Sequence, residues 1–136
     1  MIEGISHVTF IVRDLDKTEK LLSTVLAARK IYDSGSGTFS LSRERFFMIA
    51  GMWVVIMEGD GLPTRTYNHM AFKIPDDEYD EYLERIQSLQ LEVREDRARV
   101  EGEGRSIYFY DYDNHMFELH TGTLNERLER YEKGRE

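Results

Sequence analysis

Two histidines occupy matching places in two similar stretches of this sequence. The stretch "ISHVTFIV" (residues 5–12) aligns with "TYNHMAFKI" (residues 66–74), and His7 then falls over His69. Both stretches have the apolar, strand-like pattern of a β-strand. Two histidines at one position of a repeated strand indicate a repeated unit with a shared role.

A carboxylate late in the chain could join the two histidines. In "DNHMFELHTG" Glu118 and His120 share one strand face, because side chains two residues apart point the same way. Glu118 has apolar neighbours, where a carboxylate rarely lies without a partner. A set of His7, His69 and Glu118 would suit Mn²⁺, Fe²⁺, Ni²⁺ or Zn²⁺ and leave positions open for substrate. The spacing leaves an alternative open, in which the histidines are core residues and Glu118 pairs with an arginine.

Two further histidines lie near this carboxylate in the sequence. His115 follows "YDYDN" and is interpreted as a turn residue before the strand. His120 shares the face of Glu118, so we interpret it as a residue that supports a metal ligand or as a core residue, with direct ligation as the alternative.

A β-α-β-β-β order, read twice, would position these groups. We predict a first module over about residues 1–62 and a second over about residues 63–122, followed by a C-terminal helix over about residues 123–133. In the first module Asp14 is placed to cap a helix over roughly residues 15–26. The predicted fold class is therefore α+β, a single domain built from paired βαβββ modules.

Composition and charge limit the function classes. The chain has 136 residues, no cysteine and a net charge of −8. Absence of cysteine excludes disulfides, thiolate metal sites and cysteine nucleophiles, and it fits a reducing cytoplasm. The negative charge argues against nucleic acid and anionic lipid as partners, and no segment approaches the apolar length of a membrane span. We expect a cytoplasmic protein that binds neither nucleic acid nor membrane.

The paired histidine strands and the late glutamate resemble the vicinal oxygen chelate (glyoxalase/bleomycin resistance/dioxygenase) superfamily. More closely, "GISHVTFIV", "TYNHMAF" and "EGEGRSIYFYDYDNHMFELHTGTL" resemble the fosfomycin resistance proteins of the FosX hydrolase type, over about residues 1–131. The resemblance implies a homodimer whose modules pair across the subunits, with His7 from one chain and His69 and Glu118 from the other. It implies that these residues bind a divalent metal, with Mn²⁺ favoured, and that the metal binds the oxirane and phosphonate oxygens of fosfomycin.

The reaction type depends on the nucleophile. In the hydrolase branch a glutamate of the first module activates water, and this residue matches Glu44 in "LSRERFF". The resemblance therefore implies that the epoxide ring is opened by water to give a diol phosphonate. From the residues alone, a glutamate between two arginines is typical of a solvated turn.

A phosphonate dianion requires hydroxyl and guanidinium donors. Thr9 lies two residues after His7 on the same strand face, and a threonine is placed there in the hydrolase and glutathione branches. The remaining substrate contacts that the resemblance implies are Trp53, Tyr67, Ser106, Tyr108 and Arg127. From the residues alone, Arg127 is more typical of an exposed helix residue than of a substrate contact, and Tyr108 is more typical of a core residue.

The chain departs from the glutathione-using relatives in "RARVEGEGR". Ala98 and Gly102 stand where those relatives have a lysine and a serine of a cation-binding loop, which argues against a monovalent cation requirement. Arg99, or else Arg97, is expected to supply the missing charge.

Three other functions remain open at this point. The first is thiol transfer to fosfomycin, with glutathione as the thiol. The second is an Fe²⁺ oxidoreductase similar to the extradiol dioxygenases, which use the same kind of ligand set. The third is a protein of the same fold that binds a drug without catalysis.

Overall fold

A four-stranded mixed sheet and one helix form the first of two units in the computed structural model, which describes residues 1–94 and 104–135. This unit contains Met1–Arg65 and Asp111–His115. Its elements are β1 (His7–Val12), α1 (Leu15–Leu26), β2 (Arg29–Asp33), β3 (Glu44–Ile49) and β4 (Met52–Glu58). The strand order is β1-β4-β3-β2, with β1 parallel to β4 and the other neighbours antiparallel.

Helix α1 begins and ends where its local sequence directs. The Asp14 side chain accepts a hydrogen bond from the Lys17 N–H at 3.0 Å and thus satisfies one of the free amide groups of the first turn. The helix ends at Leu26, and the capping residue Ala27 that follows it adopts the left-handed conformation with φ 52°. Its buried leucines and valine pack on β3 and β4, so the predicted helix and its apolar face are confirmed.

The second unit repeats this topology. It contains Thr66–Tyr110 and Met116–Glu136. Its elements are β5 (His69–Lys73), a 3₁₀ turn (Asp76–Glu78), α2 (Tyr79–Ser88), β6 (Val93–Arg94), β7 (Ser106–Tyr110), β8 (Met116–His120) and α3 (Leu124–Gly134). The strand order is β5-β8-β7-β6, and β5 is parallel to β8.

The repeated order confirms the predicted α+β class and the two βαβββ modules. The C-terminal helix lies one residue later than predicted. The prediction of a single domain with boundaries near residues 62 and 122 stays a prediction. Among the helices in the described ranges, none combines the length and the hydrophobicity that a membrane crossing requires.

Side-chain alternation divides the first sheet into two faces. In both parallel and antiparallel pairs, directly paired residues point to the same side. His7 pairs with Trp53, and Trp53 pairs with Met48, so these three share one face, which we call the His7 face. The opposite face carries buried apolar residues that include Phe47 and Val54.

The second sheet divides in the same way. Ala71 pairs with Glu118 and Glu118 with Tyr108, and this row lies on the face that also carries His69. We call it the Glu118 face. Burial of Ile107, Phe109, Phe117 and Leu119 on the other side leaves the polar residues of this sheet together on one surface.

Candidate metal and substrate site

His69 and Glu118 form the centre of the candidate site in the second unit. His69 Nε2 lies 3.0 Å from Glu118 Oε1, and only 6% of the Glu118 side chain is exposed. The strand pairing explains this proximity, because Glu118 stands beside Ala71 on the face of His69. A buried carboxylate needs a counter-charge or several hydrogen bonds.

The other nitrogen of His69 determines what Nε2 can do. His69 Nδ1 lies 2.7 Å from the carbonyl oxygen of Tyr67, which can only accept, so Nδ1 carries a proton. In the neutral ring Nε2 is then a bare acceptor that faces a carboxylate oxygen. Two acceptors at this distance need a cation between them, either a proton or a metal.

A divalent metal fits this pair of atoms. Nε2 and Oε1 lie 3.0 Å apart, close enough for both to ligate one ion. Imidazole nitrogen and carboxylate oxygen suit Mn²⁺ and its neighbours in the first transition row. The carbonyl contact of Nδ1 is the usual second contact of a metal-binding histidine.

The second oxygen of Glu118 faces different partners. Ser106 Oγ lies 2.7 Å from Oε2, and His120 Nδ1 lies 3.3 Å from it. His120 also contacts Ser106 Oγ at 2.7 Å, and its Nε2 lies 3.3 Å from Arg127 Nη2 of α3. One hydrogen-bonded group on the Oε2 side of Glu118 therefore joins His120, Ser106 and Arg127.

Two tyrosines flank His69. Tyr67 and Tyr108 have their hydroxyls 3.3 Å apart, and the Tyr108 ring meets the His69 ring edge-on at 5.6 Å. Burial raises the pKa of Tyr108 well above its usual value, and the contact with Tyr67 and the charge of Glu118 act in the same direction. Tyr108 therefore keeps its proton and can donate it in a hydrogen bond to an anion.

His7 lies against Trp53 in the first unit. The two rings are 4.2 Å apart, and Ser6 Oγ lies 3.0 Å from His7 Nδ1. Trp53 Nε1 is buried, and no acceptor in the described part of the chain reaches it. An indole N–H is a donor only, so a buried one without an acceptor leaves a place for a ligand oxygen.

Glu44 opens β3 and is 7% exposed. It pairs with Met57, which pairs with Ile11 of β1, so Glu44 lies on the His7 face together with Thr9. Its N–H donates to Ser34 Oγ at 3.0 Å. The solvated turn that the flanking arginines suggest is therefore not what the structure shows.

The two arginines beside Glu44 are engaged elsewhere. Arg43 pairs with Glu58 of β4. Arg45 points to the other side of the strand, where it contacts Asp16 and Glu19 of α1 and Asp33 of β2; its side chain is only 13% exposed. Charge pattern alone could not locate Glu44, because strand alternation directs the neighbours away from it.

The structure groups the predicted site residues by unit. The second unit brings together His69, Glu118, Tyr67, Tyr108, Ser106 and Arg127. The first unit places His7, Thr9, Trp53 and Glu44 on one sheet face. Within residues 1–94 and 104–135 no group of three histidine, aspartate or glutamate side chains could hold a metal.

Some predicted residues lie elsewhere. Arg97, Arg99, Ala98 and Gly102 fall outside the described residues. His115 bonds Asp111 through Nδ1 at 2.7 Å and helps to fix the β7–β8 turn, as predicted for a turn residue.

Sequence reasoning missed Arg94. It pairs with Tyr108 on the Glu118 face, and its guanidinium lies 5.3 Å from the ring centre of Tyr67. The alternation in "LEVRE" could have shown its face, but only the strand pairing shows its neighbours. Arg94 adds a positive charge beside Tyr67 and Tyr108.

The fold and the His69–Glu118 pair define a class: proteins of paired βαβββ modules with a candidate divalent metal site. A family model described as the Glyoxalase/Bleomycin resistance protein/Dioxygenase superfamily matches residues 4–119. The fosfomycin resistance protein FosX of Listeria innocua is 62% identical over 133 residues, which cover 98% of this chain and 100% of that protein. FosX of Mesorhizobium japonicum is 61% identical over 136 residues, 100% of this chain and 98% of that protein.

A solved structure matches as well. It is a crystal structure of a mutant FosX from Listeria monocytogenes, complexed with Mn(II) and 1S,2S-dihydroxypropylphosphonic acid. Its TM-score is 0.88 at 58% identity, over 96% of this chain and 99% of that chain. The chain therefore belongs to the glyoxalase/bleomycin resistance/dioxygenase superfamily and, within it, to the FosX family of fosfomycin resistance proteins.

Proposed function

We propose that this protein is a metal-dependent epoxide hydrolase that adds water to fosfomycin and so confers resistance to the drug. The observation that carries the proposal is the burial of Glu44 on the His7 face. A buried carboxylate on the face of a candidate metal ligand is placed to act as a base on water. The Listeria monocytogenes relative is complexed with 1S,2S-dihydroxypropylphosphonic acid, a diol phosphonate of the kind that water addition to this epoxide gives.

His7, His69 and Glu118 are the proposed metal ligands, and Mn²⁺ is the metal. Support comes from the bare Nε2 of His69 opposite Glu118 and from the Mn(II) in the relative's structure. When bound, the metal supplies a Lewis acid that stabilises negative charge on the oxirane oxygen as the ring opens.

Glu44 is the proposed general base. No hydrogen-bond donor in the described residues reaches its carboxylate, so the oxygens remain available to accept a proton from water. Epoxide opening is an in-line displacement, so Glu44 must activate water on the side of the carbon opposite the leaving oxygen. As the carboxylate takes a proton from water, the water oxygen forms the new carbon–oxygen bond and the ring carbon–oxygen bond breaks. The ring oxygen then takes up a proton from solvent to give the diol.

Hydroxyl, indole and guanidinium groups are proposed to bind the phosphonate. Tyr108 stays protonated and can donate a hydrogen bond to the anion, and Arg127, which contacts His120 Nε2, supplies positive charge. Trp53 Nε1 is a buried donor with no acceptor among the described residues, and Thr9 shares its face. Arg99 stays a further expected contact. These donors would fix the epoxide against the base and the ligands.

The proposed assembly is a homodimer in which His7 of one chain joins His69 and Glu118 of the other. His7 lies in the first unit, and His69 and Glu118 lie in the second. Helix α3 also exposes Leu124, Leu128 and Tyr131 at i, i+4 and i+7, an apolar stripe suited to a partner surface. The cytoplasmic location, and the absence of nucleic acid and membrane partners, stay predictions.

Phosphorus-31 NMR of fosfomycin tests the proposal. The drug is incubated with Mn²⁺-loaded protein without thiol and, in parallel, with glutathione. The diol phosphonate is expected in both samples. Conversion only with glutathione would show that the protein is a thiol transferase and not a hydrolase. Unchanged drug in both samples would favour a protein of the same fold that binds the drug without catalysis.

A further inference from the structure

A chain of hydrogen bonds runs from helix α3 to the carboxylate of Glu118. Arg127 Nη2 lies 3.3 Å from His120 Nε2, and His120 Nδ1 lies 2.7 Å from Ser106 Oγ. Ser106 Oγ then lies 2.7 Å from Glu118 Oε2. None of these side chains is adjacent to the next in sequence, so the chain exists only in the folded protein.

The first contact fixes the direction of all the others. A guanidinium can only donate, so His120 Nε2 must accept from Arg127 and carries no proton. The ring proton is then on Nδ1, which donates to Ser106 Oγ. A carboxylate can only accept, so the single proton of Ser106 Oγ points to Glu118 Oε2. These directions follow from the donor and acceptor capacities of Arg127, His120 and Glu118.

The position of Oε2 bears on the other oxygen of the same carboxylate. Oε1 faces His69 Nε2 at 3.0 Å. Holding Oε2 in place sets the rotation of the carboxylate and thereby aims Oε1 at the space in front of His69. The side chain of Glu118 is 6% exposed and that of His120 15%, so little water competes with these bonds.

We propose that His120 is a positioning residue that aims Glu118 at the metal by directing the Ser106 hydroxyl. The inference rests on the proposed function, in which Glu118 is a metal ligand. His120 also joins Glu118 to Arg127, a proposed phosphonate contact, so that the metal and the anion are held by one hydrogen-bonded group.

Two substitutions separate the functions of the two ring nitrogens. In His120→Asn the amide nitrogen is attached to Cγ, like Nδ1, and can still donate to Ser106. In His120→Gln the amide reaches towards the place of Nε2 and can face Arg127, but it no longer supplies the donor next to Cγ. Loss of packing is similar in both, so a purely structural role would affect them alike.

The dissociation constant for Mn²⁺ is measured by electron paramagnetic resonance, which reports the free ion. We expect His120→Gln to weaken Mn²⁺ binding about tenfold or more and His120→Asn to stay within about threefold of the unsubstituted protein. The control is His115→Asn, which changes a histidine that bonds Asp111 and not Glu118. Its Mn²⁺ affinity should be unchanged. Thermal unfolding shows that each variant is folded.

The outcomes separate the two proposals. If the unsubstituted protein binds Mn²⁺ and His120→Gln binds it equally well, or if both variants lose affinity equally, the role of His120 is wrong and the hydrolase proposal stands. If the unsubstituted protein does not bind Mn²⁺, the metal site fails and the role of His120 fails with it.

Discussion

Glu118 Oε1 lies 3.0 Å from His69 Nε2, and both atoms are acceptors. The carbonyl of Tyr67 holds the proton of His69 on Nδ1, while Ser106 holds the other oxygen of Glu118. A cation must therefore lie between the two atoms or a proton must be shared by them. In the proposed function a divalent metal supplies that cation.

Metal removal should lower stability as well as activity. Protein dialysed against a chelator is expected to lose drug hydrolysis and to regain it with Mn²⁺. At a free Mn²⁺ concentration of about 100 times the dissociation constant, binding adds about 2.7 kcal/mol to the free energy of unfolding, which raises the melting temperature by roughly 5–10 °C. Calorimetry measures this shift. The variant His69→Ala should show no shift, and a shift that persists in it would place the metal elsewhere.

Glu44→Gln should lower kcat by about 10²–10⁴, because a carboxamide cannot take a proton from water. The Mn²⁺ affinity should not change, since Glu44 is not among the proposed ligands. The matched control is Glu58→Gln, which removes a glutamate of the neighbouring strand that pairs with Arg43. Unchanged hydrolysis in Glu44→Gln with metal bound would remove the base from the mechanism.

Trp53 is the only tryptophan in the chain and lies 4.2 Å from the His7 ring. Its fluorescence should therefore change when Mn²⁺ binds, and the titration should saturate. In His7→Ala the change should disappear. If Mn²⁺ binds but leaves the Trp53 emission constant, His7 is not part of the metal site.

Mixing two inactive variants tests whether each site takes ligands from two chains. His7→Ala and His69→Ala should each be inactive alone, but a mixed dimer has one site with all ligands intact. Subunit exchange should restore roughly a quarter of the full activity, because half of the dimers are mixed and each has one good site. A mixture of His69→Ala and Glu118→Ala, whose losses fall in the same module, should stay inactive. Sites built within one chain would give no recovery in the first mixture.

The charged carboxylate of Asp33 should stabilise the fold at neutral pH, and this stabilisation should be lost in acid. The N–H of Gly35, at 2.8 Å, and the charge of Arg45 hold the pKa of Asp33 below its usual value of 3.8. Because the folded pKa is the lower one, this stabilisation is present above about pH 3.8 and is lost as the pH falls through the folded pKa. Asp33→Asn should lower the urea midpoint at about pH 7, and the difference should shrink towards about pH 3. Asp60→Asn, at an exposed position, should give little difference; a constant difference for Asp33→Asn would exclude the charge as its cause.

The register of the two sheets relates the predicted base to the predicted phosphonate contact. Ile11, four residues after His7, pairs with Met57, which in turn pairs with Glu44. Lys73, four residues after His69, pairs with His120, which in turn pairs with Ser106. The two modules thus place a glutamate and a serine at the same point of the same topology.

The sequence by itself determined the repeat, the first helix with its Asp14 cap and the sharing of one face by Glu118 and His120. These are local properties, because helix and strand periods and capping act within a few residues. The tertiary structure alone decided that Glu44 is buried on the His7 face, that the Trp53 ring meets His7, and that Arg127 reaches Glu118 through His120 and Ser106. Strand pairing and burial depend on residues far apart in the chain, so no local pattern contains them.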